Sequence, residues 1–207
     1  MINNKKSFFW ISYADLMTSL FFIMLVLFVL TVIAMHNKEK ATREEIDRIH
    51  SIENSIKAID HRYFTYDSKY KKHTLNIDVQ FNTYSFSMND IRDKQAALIA
   101  AGNSIKNFME TVKKKNPGTQ YLLVIEGQTS RDYYWRDEYH NNDVLSYQRA
   151  LALKNFWENN GVRFGPECEV IVGGSGQDGA LRFQPDNRYN FKNQRFSIHI
   201  IPKPGSF

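Results

Sequence analysis

Residues 8–35 read FFWISYADLMTSLFFIMLVLFVLTVIAM. A bilayer's hydrocarbon core, about 30 Å thick, is crossed by roughly 20 predominantly apolar residues in a helix. From Leu20 to Ala34 only Thr31 interrupts the apolar run. The stretch therefore predicts a transmembrane helix over 8–35, preceded by a short tail over 1–7. Its single carboxylate, Asp15, lies in the N-terminal part. A carboxylate within such a helix is costly and persists where it does something, which makes Asp15 the first functional candidate. Val32-Ile33-Ala34 resembles the small-residue pattern that precedes a cleavage site, so a signal peptide is the alternative. The length of the run, and an acid where a basic n-region would continue, favour a retained anchor. Trp10 and Tyr13 suit interfacial anchoring.

The chain has 207 residues, which leaves room for one ordinary domain after the anchor. Net charge is +5, with the lysines scattered rather than gathered on one element, which argues against a nucleic-acid face. Cys168 is the only cysteine, so an intrachain disulfide framework is excluded. Lys5 and Lys6 precede the apolar run, whereas Lys38, Lys40, Arg43 and Arg48 follow it. Counted naively, the positive-inside rule would put the C-terminal side in the cytoplasm. Charge alone does not give the topology.

Beyond the anchor, Ile46, Ile49, Ile52, Ile56 and Ile59 recur at spacings of three and four, one apolar stripe on a helical connector over 36–73. The last four also fit a heptad seam. A short coiled coil between two copies and a helix packed on its own domain are both compatible with that stripe. Leu75, Ile77, Val79 and Phe81 alternate as in a half-buried strand over 74–81. Residues 90–115 read as an amphipathic helix, with Ile91, Leu98, Ile105, Phe108, Met109 and Val112 inward, closed by Asn116-Pro117-Gly118. Tyr121 to Glu126 (YLLVIE) suits a central strand covered on both faces. A second helix over 142–160 stops at Gly161, a short strand follows over 169–172, and RFSIHII (195–201) is a last strand ended by Pro202. The expected class is α+β: after the anchor, a β-α-β-α-β-β domain over 74–207 with both helices on one face of a mixed sheet.

Catalytic patterns find no foothold. The loop GGSGQDG (173–179) lacks the Gly-Lys-Ser/Thr of a phosphate-binding loop and reads as a turn. The six histidines have no metal-ligand spacing, and no metal or cofactor is expected.

Two stretches resemble one family. Ser12 to Thr18 (SYADLMT) is similar to the opening of the membrane helix of MotB-type stator subunits, which are parts of ion-driven motors. Asn142 to Ala150 (NDVLSYQRA) matches the N-x-x-L-S-x-x-R-A signature of OmpA-like peptidoglycan-binding domains. Gly174 and Gly176 before Pro185, and Asn193-Gln194-Arg195 before the last strand, are arranged similarly. The short chain and connector most resemble the ZorB-type subunits of Zorya anti-phage defence systems; flagellar MotB subunits usually have a longer connection.

The resemblance implies a cytoplasmic N-terminus, a periplasmic domain and a place in the bacterial inner membrane. It implies a homodimer inside a pentameric ring of a larger ZorA/MotA-like subunit, with Asp15 carrying the translocated proton, or sodium. Thr18 and Ser19, one turn on, are close enough to orient an ion, or else bond back to the helix carbonyls. For wall binding it implies Arg149 on a ligand carboxylate, Asn142 and Leu145 earlier on the same helix face, and Thr129 and Arg195 nearby. Asn142 as a helix cap and Leu145 as core are the alternatives from local structure alone. The family has Thr-Asp where this chain has Thr129-Ser130, its aspartate meeting an amino group of the ligand. Asp132 or Asp137, in the longer aromatic loop Tyr133-Tyr134-Trp135, would have to substitute.

Overall fold

The computed structural model describes residues 4–57 and 59–203. The chain divides into two units, Met1–His50 and Ser51–Phe207.

The first unit is helix throughout its described part, belonging to α1 (Asn4–Ile56). Nothing between Tyr13 and Asp47 is buried within it. Leu16, Phe21, Phe22, Met24, Phe28, Leu30 and Met35 all present exposed apolar surface, far more than a water-facing helix tolerates. The helix is long and apolar enough to cross a membrane by length and composition.

In the second unit the last turns of α1 bury Ile52 and Ile56, joined in the core by Ile59. Ile46, by contrast, is exposed. The isoleucine stripe therefore ends in the chain's own core, which takes up the residues that a coiled-coil seam would need. The stretch 36–73, expected as a helical connector, is helical only to Ile56 and then supplies a strand.

That strand is β1 (Phe64–Asp67), which forms an antiparallel hairpin with β2 (Lys72–Leu75). Alternating burial continues past Leu75 through Val79 and Phe81, as the pattern over 74–81 predicts, but the ladder does not. Only His73 and Thr74 of β2 meet the neighbouring strand on that side, and the chain beyond Leu75 is not part of the sheet. A 3-10 turn over Met88–Lys94 precedes α2 (Gln95–Lys115). The helix thus starts five residues later than expected, because Ile91 departs from helical geometry. Leu98, Ile105, Met109 and Val112 face inward as predicted, while Phe108 is only partly buried. Gly118, at φ +87°, turns the chain into β3 (Tyr121–Gly127).

A small hairpin, β4 (Trp135–Asp137) with β5 (His140–Asn141), interrupts the loop before α3 (Asn142–Asn159). Then follow β6 (Cys168–Gly174), a long loop, and β7 (Phe196–Pro202). The main sheet runs β1-β2-β7-β3-β6, with β3 and β6 parallel and the other pairings antiparallel. The class is α+β with one long N-terminal apolar helix, as expected. β3 is interior, but its side chains alternate between buried and half-buried, so only one face is fully covered. On that face α2 and α3 pack together, the Trp157 indole donating to the Leu98 carbonyl at 2.8 Å beneath Gly102.

Candidate functional site

The end of β3, the end of β6 and the start of α3 converge closely. A side chain at Gly127 would collide with the Ser146 carbonyl, and one at Gly174 with the Ser146 hydroxyl and the Tyr147 amide. These glycines are required by proximity, which seats the first two turns of α3 directly against the strand ends. Ser146 fastens the seam: its hydroxyl donates to the Asp143 carbonyl (2.7 Å) and accepts from the Gly176 amide (2.9 Å). The amide and carbonyl of Gly176 are both engaged, the latter by the Thr129 amide at 2.9 Å, which fits a turn rather than an anion cradle.

The cap of α3 is Asn141, not Asn142. Its side-chain oxygen accepts from the Asp143 and Val144 amides, both at 3.0 Å. Asn142 is thereby released from capping, and its side-chain amide donates to Asp132 (2.7 Å) and Gln177 (3.1 Å). Asp132 also accepts from the Tyr134 amide, and Gln177 from the Tyr133 amide, each at 3.0 Å. The aromatic loop is thus tied to the first residue of the helix.

Arg149, two turns on, is only 3% exposed. Its Nε donates to the Ser85 carbonyl at 3.0 Å, and the guanidinium carbon lies 4.6 Å from the Phe81 ring centroid. Among the described residues no carboxylate reaches ion-pair distance of it. Burial pulls its pKa down to about 10, against the opposing influence of Asp132 and Asp90. A buried cation without its own counter-charge carries a desolvation cost and leaves a charge open to an anion. Leu145, one turn before, is buried but lies outside the main hydrophobic cluster.

Asp132 and Asp137 differ. Asp132 belongs to the Asn142 network and acts electrostatically on Arg149. Asp137 caps the β4–β5 turn and pairs with His140 at 2.7 Å, whose hydrogen bond lowers its pKa. Ser130 is buried, its hydroxyl taken up by Gln194, whose other end accepts from the Phe81 amide at 3.0 Å. Ser130 therefore supports the ring beneath Arg149.

Thr129 is buried with its hydroxyl unpartnered, while its carbonyl accepts from Arg182 at 2.8 Å. Arg195 points elsewhere. It donates to Gln128 (3.1 Å) and the Ala180 carbonyl (3.2 Å), stacks on Phe183, and is pulled down to about 10 by burial. Asn142 holds Asp132 by a hydrogen bond, and Asp132 acts on Arg149 through its charge, whereas Arg195 clamps the 175–193 loop. A second clamp escaped sequence reasoning: Asp186 holds Arg131, Arg182 and Asn193 together at 2.8–3.1 Å. The Arg182 hydrogen bond keeps its carboxyl below the usual range. Gln177 and Ser85 were also missed; neither carries a charge or a spacing that would mark it.

On α1, the Thr18 hydroxyl donates to the Ala14 carbonyl (2.7 Å) and Ser19 to that of Leu16 (2.9 Å). Both hydroxyls are engaged within the helix, the alternative weighed above.

No family model matches the sequence, nor does any curated protein. Among solved structures, the chain is similar to the OmpA-like domain of FopA1 from Francisella tularensis (20% identity, 67% of this chain and 79% of that one, TM-score 0.41). It is similar also to the periplasmic domain of Helicobacter pylori MotB (13%, 68% and 88%, TM-score 0.43) and to the cell wall anchor of the type VI secretion system (T6SS) from Pseudomonas aeruginosa (18%, 72% and 92%, TM-score 0.40). Scores this low describe a likeness and carry no function.

Proposed function

We propose that this chain is a peptidoglycan-anchored membrane subunit in which α1 spans the inner membrane and the second unit grips the wall. The observation that carries the reading is Arg149, buried under the electrostatic influence of Asp132 and with no carboxylate in ion-pair distance among the described residues. A ligand bearing a free carboxylate would complete it with a charge-assisted, bidentate contact. Asp132, exposed and already oriented by Asn142, is the group available for an adjacent amino function. A peptide stem ending in a zwitterionic centre offers both groups, and Asp132 replaces the aspartate that the family has at Ser130.

The finer reading is an ion-driven motor of Zorya type. Asp15 would alternately load and release a proton within a ring of larger partner subunits. Its placement in an otherwise apolar run supports this, as does the resemblance of Ser12 to Thr18 to stator helices. Thr18 and Ser19 would then shape the helix rather than ligate the ion. Wall anchoring would hold the subunit still while the partner moves. The N-terminus is cytoplasmic in this reading.

The test of wall binding uses the full chain in detergent with isolated peptidoglycan sacculi. Arg149→Ala should lower the bound fraction strongly, and equal binding would refute the site. The motor is tested by ion flux with the partner subunit present. Asp15→Asn should assemble normally and abolish flux, whereas undiminished flux would leave only a structural tether. Phage protection against motility complementation separates the Zorya from the flagellar reading.

A further inference from the structure

We infer that the loop carrying Tyr133, Tyr134 and Trp135, together with Tyr84, is a second binding surface that takes the sugar chain of the wall polymer by ring stacking. The inference rests on the wall-binding reading and extends it from the peptide stem to the glycan. Two non-glycine residues beside the site hold left-handed backbone: Tyr84 at φ +56° and Tyr133 at φ +56°. Bulky side chains rarely adopt that geometry, and such strain persists where surrounding contacts enforce it. Tyr84 sits in the turn that the Ser85 amide closes on the Asn82 carbonyl (3.0 Å), and both tyrosines adjoin contacts of the site. The Ser85 carbonyl, next to Tyr84, holds Arg149, and the Tyr133 amide is held by Gln177.

The strained residues do not serve the core. Tyr133 is 71% exposed, Trp135 68% and Tyr84 55%. Tyr84 and Tyr134 stack at 3.9 Å with planes 24° apart, bridging the two loops in one aromatic ledge. The C–H face of a pyranose fits the electron-rich face of tyrosine or tryptophan, and its hydroxyls suit phenol, indole and carboxylate partners. The charge on the loop argues against a lipid surface: Asp132, Asp137 and Glu138 stand against Arg131 and Arg136, Arg131 is already taken up by Asp186, and the remaining acids would be repelled by anionic headgroups. The ledge is also continuous with the Asn142–Asp132–Tyr134 network, so a polymer held at Arg149 would bring its sugars to these rings.

The experiment titrates the full chain in detergent with chitohexaose, a peptide-free sugar chain, and reads the heat of binding by calorimetry, with tryptophan emission followed in parallel on the wild type. Intact sacculi are assayed in parallel. Wild-type protein should bind the oligosaccharide; Trp135→Ala and Tyr133→Ala should each weaken it about three- to tenfold, the loss of one stacked ring. Trp135→Phe should restore binding, which separates stacking from loop shape; Arg149→Ala, which also frees Ser85 beside Tyr84, is read on sacculi alone and should lose them. No oligosaccharide binding, or equal binding by all variants, would overturn the sugar surface. So would an emission shift on anionic vesicles that Trp135→Phe abolishes, in place of one on sugar. Sacculus binding unaffected by Arg149→Ala would instead refute the underlying peptide site.

Discussion

Arg149→Met separates a ligand-binding cation from a structural one. Burial holds the guanidinium's pKa near 10, below its ordinary value. At about 1.4 kcal/mol for each pH unit, keeping the charge inside costs on the order of 3 kcal/mol. Against this stand the hydrogen bond to the Ser85 carbonyl, worth about 1.5–3 kcal/mol for a charged donor, and the contact with Phe81, worth about 1 kcal/mol. Methionine removes the charge, keeps most of the apolar stem and adapts to the Phe81 ring. The net change in folding stability should lie between nothing and about 1 kcal/mol in either direction, a midpoint shift of no more than about 4 °C. Wall binding, in contrast, should be lost. The assay is thermal unfolding of the full chain in detergent by near-ultraviolet circular dichroism, beside a sacculus pull-down on the same preparations. A fall in stability of more than about 3 kcal/mol with residual binding retained would refute the reasoning. It would show that Arg149 braces the Ser85 loop and needs no anion.

Burial holds His73 neutral, its pKa pulled down to about 4, and His199 is pulled down likewise. As pH falls the unfolded chain takes up those protons first. Stability is therefore intact above about pH 6.5 and declines toward pH 4, by at most about 3 kcal/mol for His73; urea midpoints that stay flat between pH 7 and 5 would contradict this. Gly127→Ala drives a methyl into the Ser146 carbonyl and should cost roughly 3 kcal/mol or prevent folding, since backbone on both sides must move. Asn141→Ala removes the cap of α3 and should cost about 1–2 kcal/mol in chemical denaturation. Burial pushes the Cys168 thiol up to about 11, so the folded protein should react with a disulfide reagent at pH 7.5 only on the timescale of unfolding.

What was legible in the sequence was whatever local periodicity or a fixed motif could carry. The apolar run, the inner face of α2 and the line Asn142, Leu145, Arg149 on α3 depend on spacing along one element. The strand β1 was hidden because four residues at a sheet edge carry almost no periodic signal, and the preceding isoleucines extended the helical pattern over it. The cap of α3 fell one residue early because Asn141 and Asn142 are chemically identical; only the extended backbone of Asn141, at φ −150°, distinguishes them. Asp132 and Asp137 could not be ranked beforehand, since their difference lies in partners from other segments, Asn142 for one and His140 for the other. Asp186 was invisible for the same reason: it gathers Arg131 from 55 positions away.

The position of β7 has a consequence for biogenesis. It follows both β2 and β3 along the chain, yet it lies between them. During synthesis β2 and β3 must wait, each with an open hydrogen-bonding edge, until β7 arrives to fill the gap. Such edges invite pairing with other chains, and closure across so large a sequence separation is slow. A premature stop codon a few residues before Phe196 would therefore do more than shorten the protein. It would leave two half-sheets with no common partner, a product suited to proteolysis or aggregation.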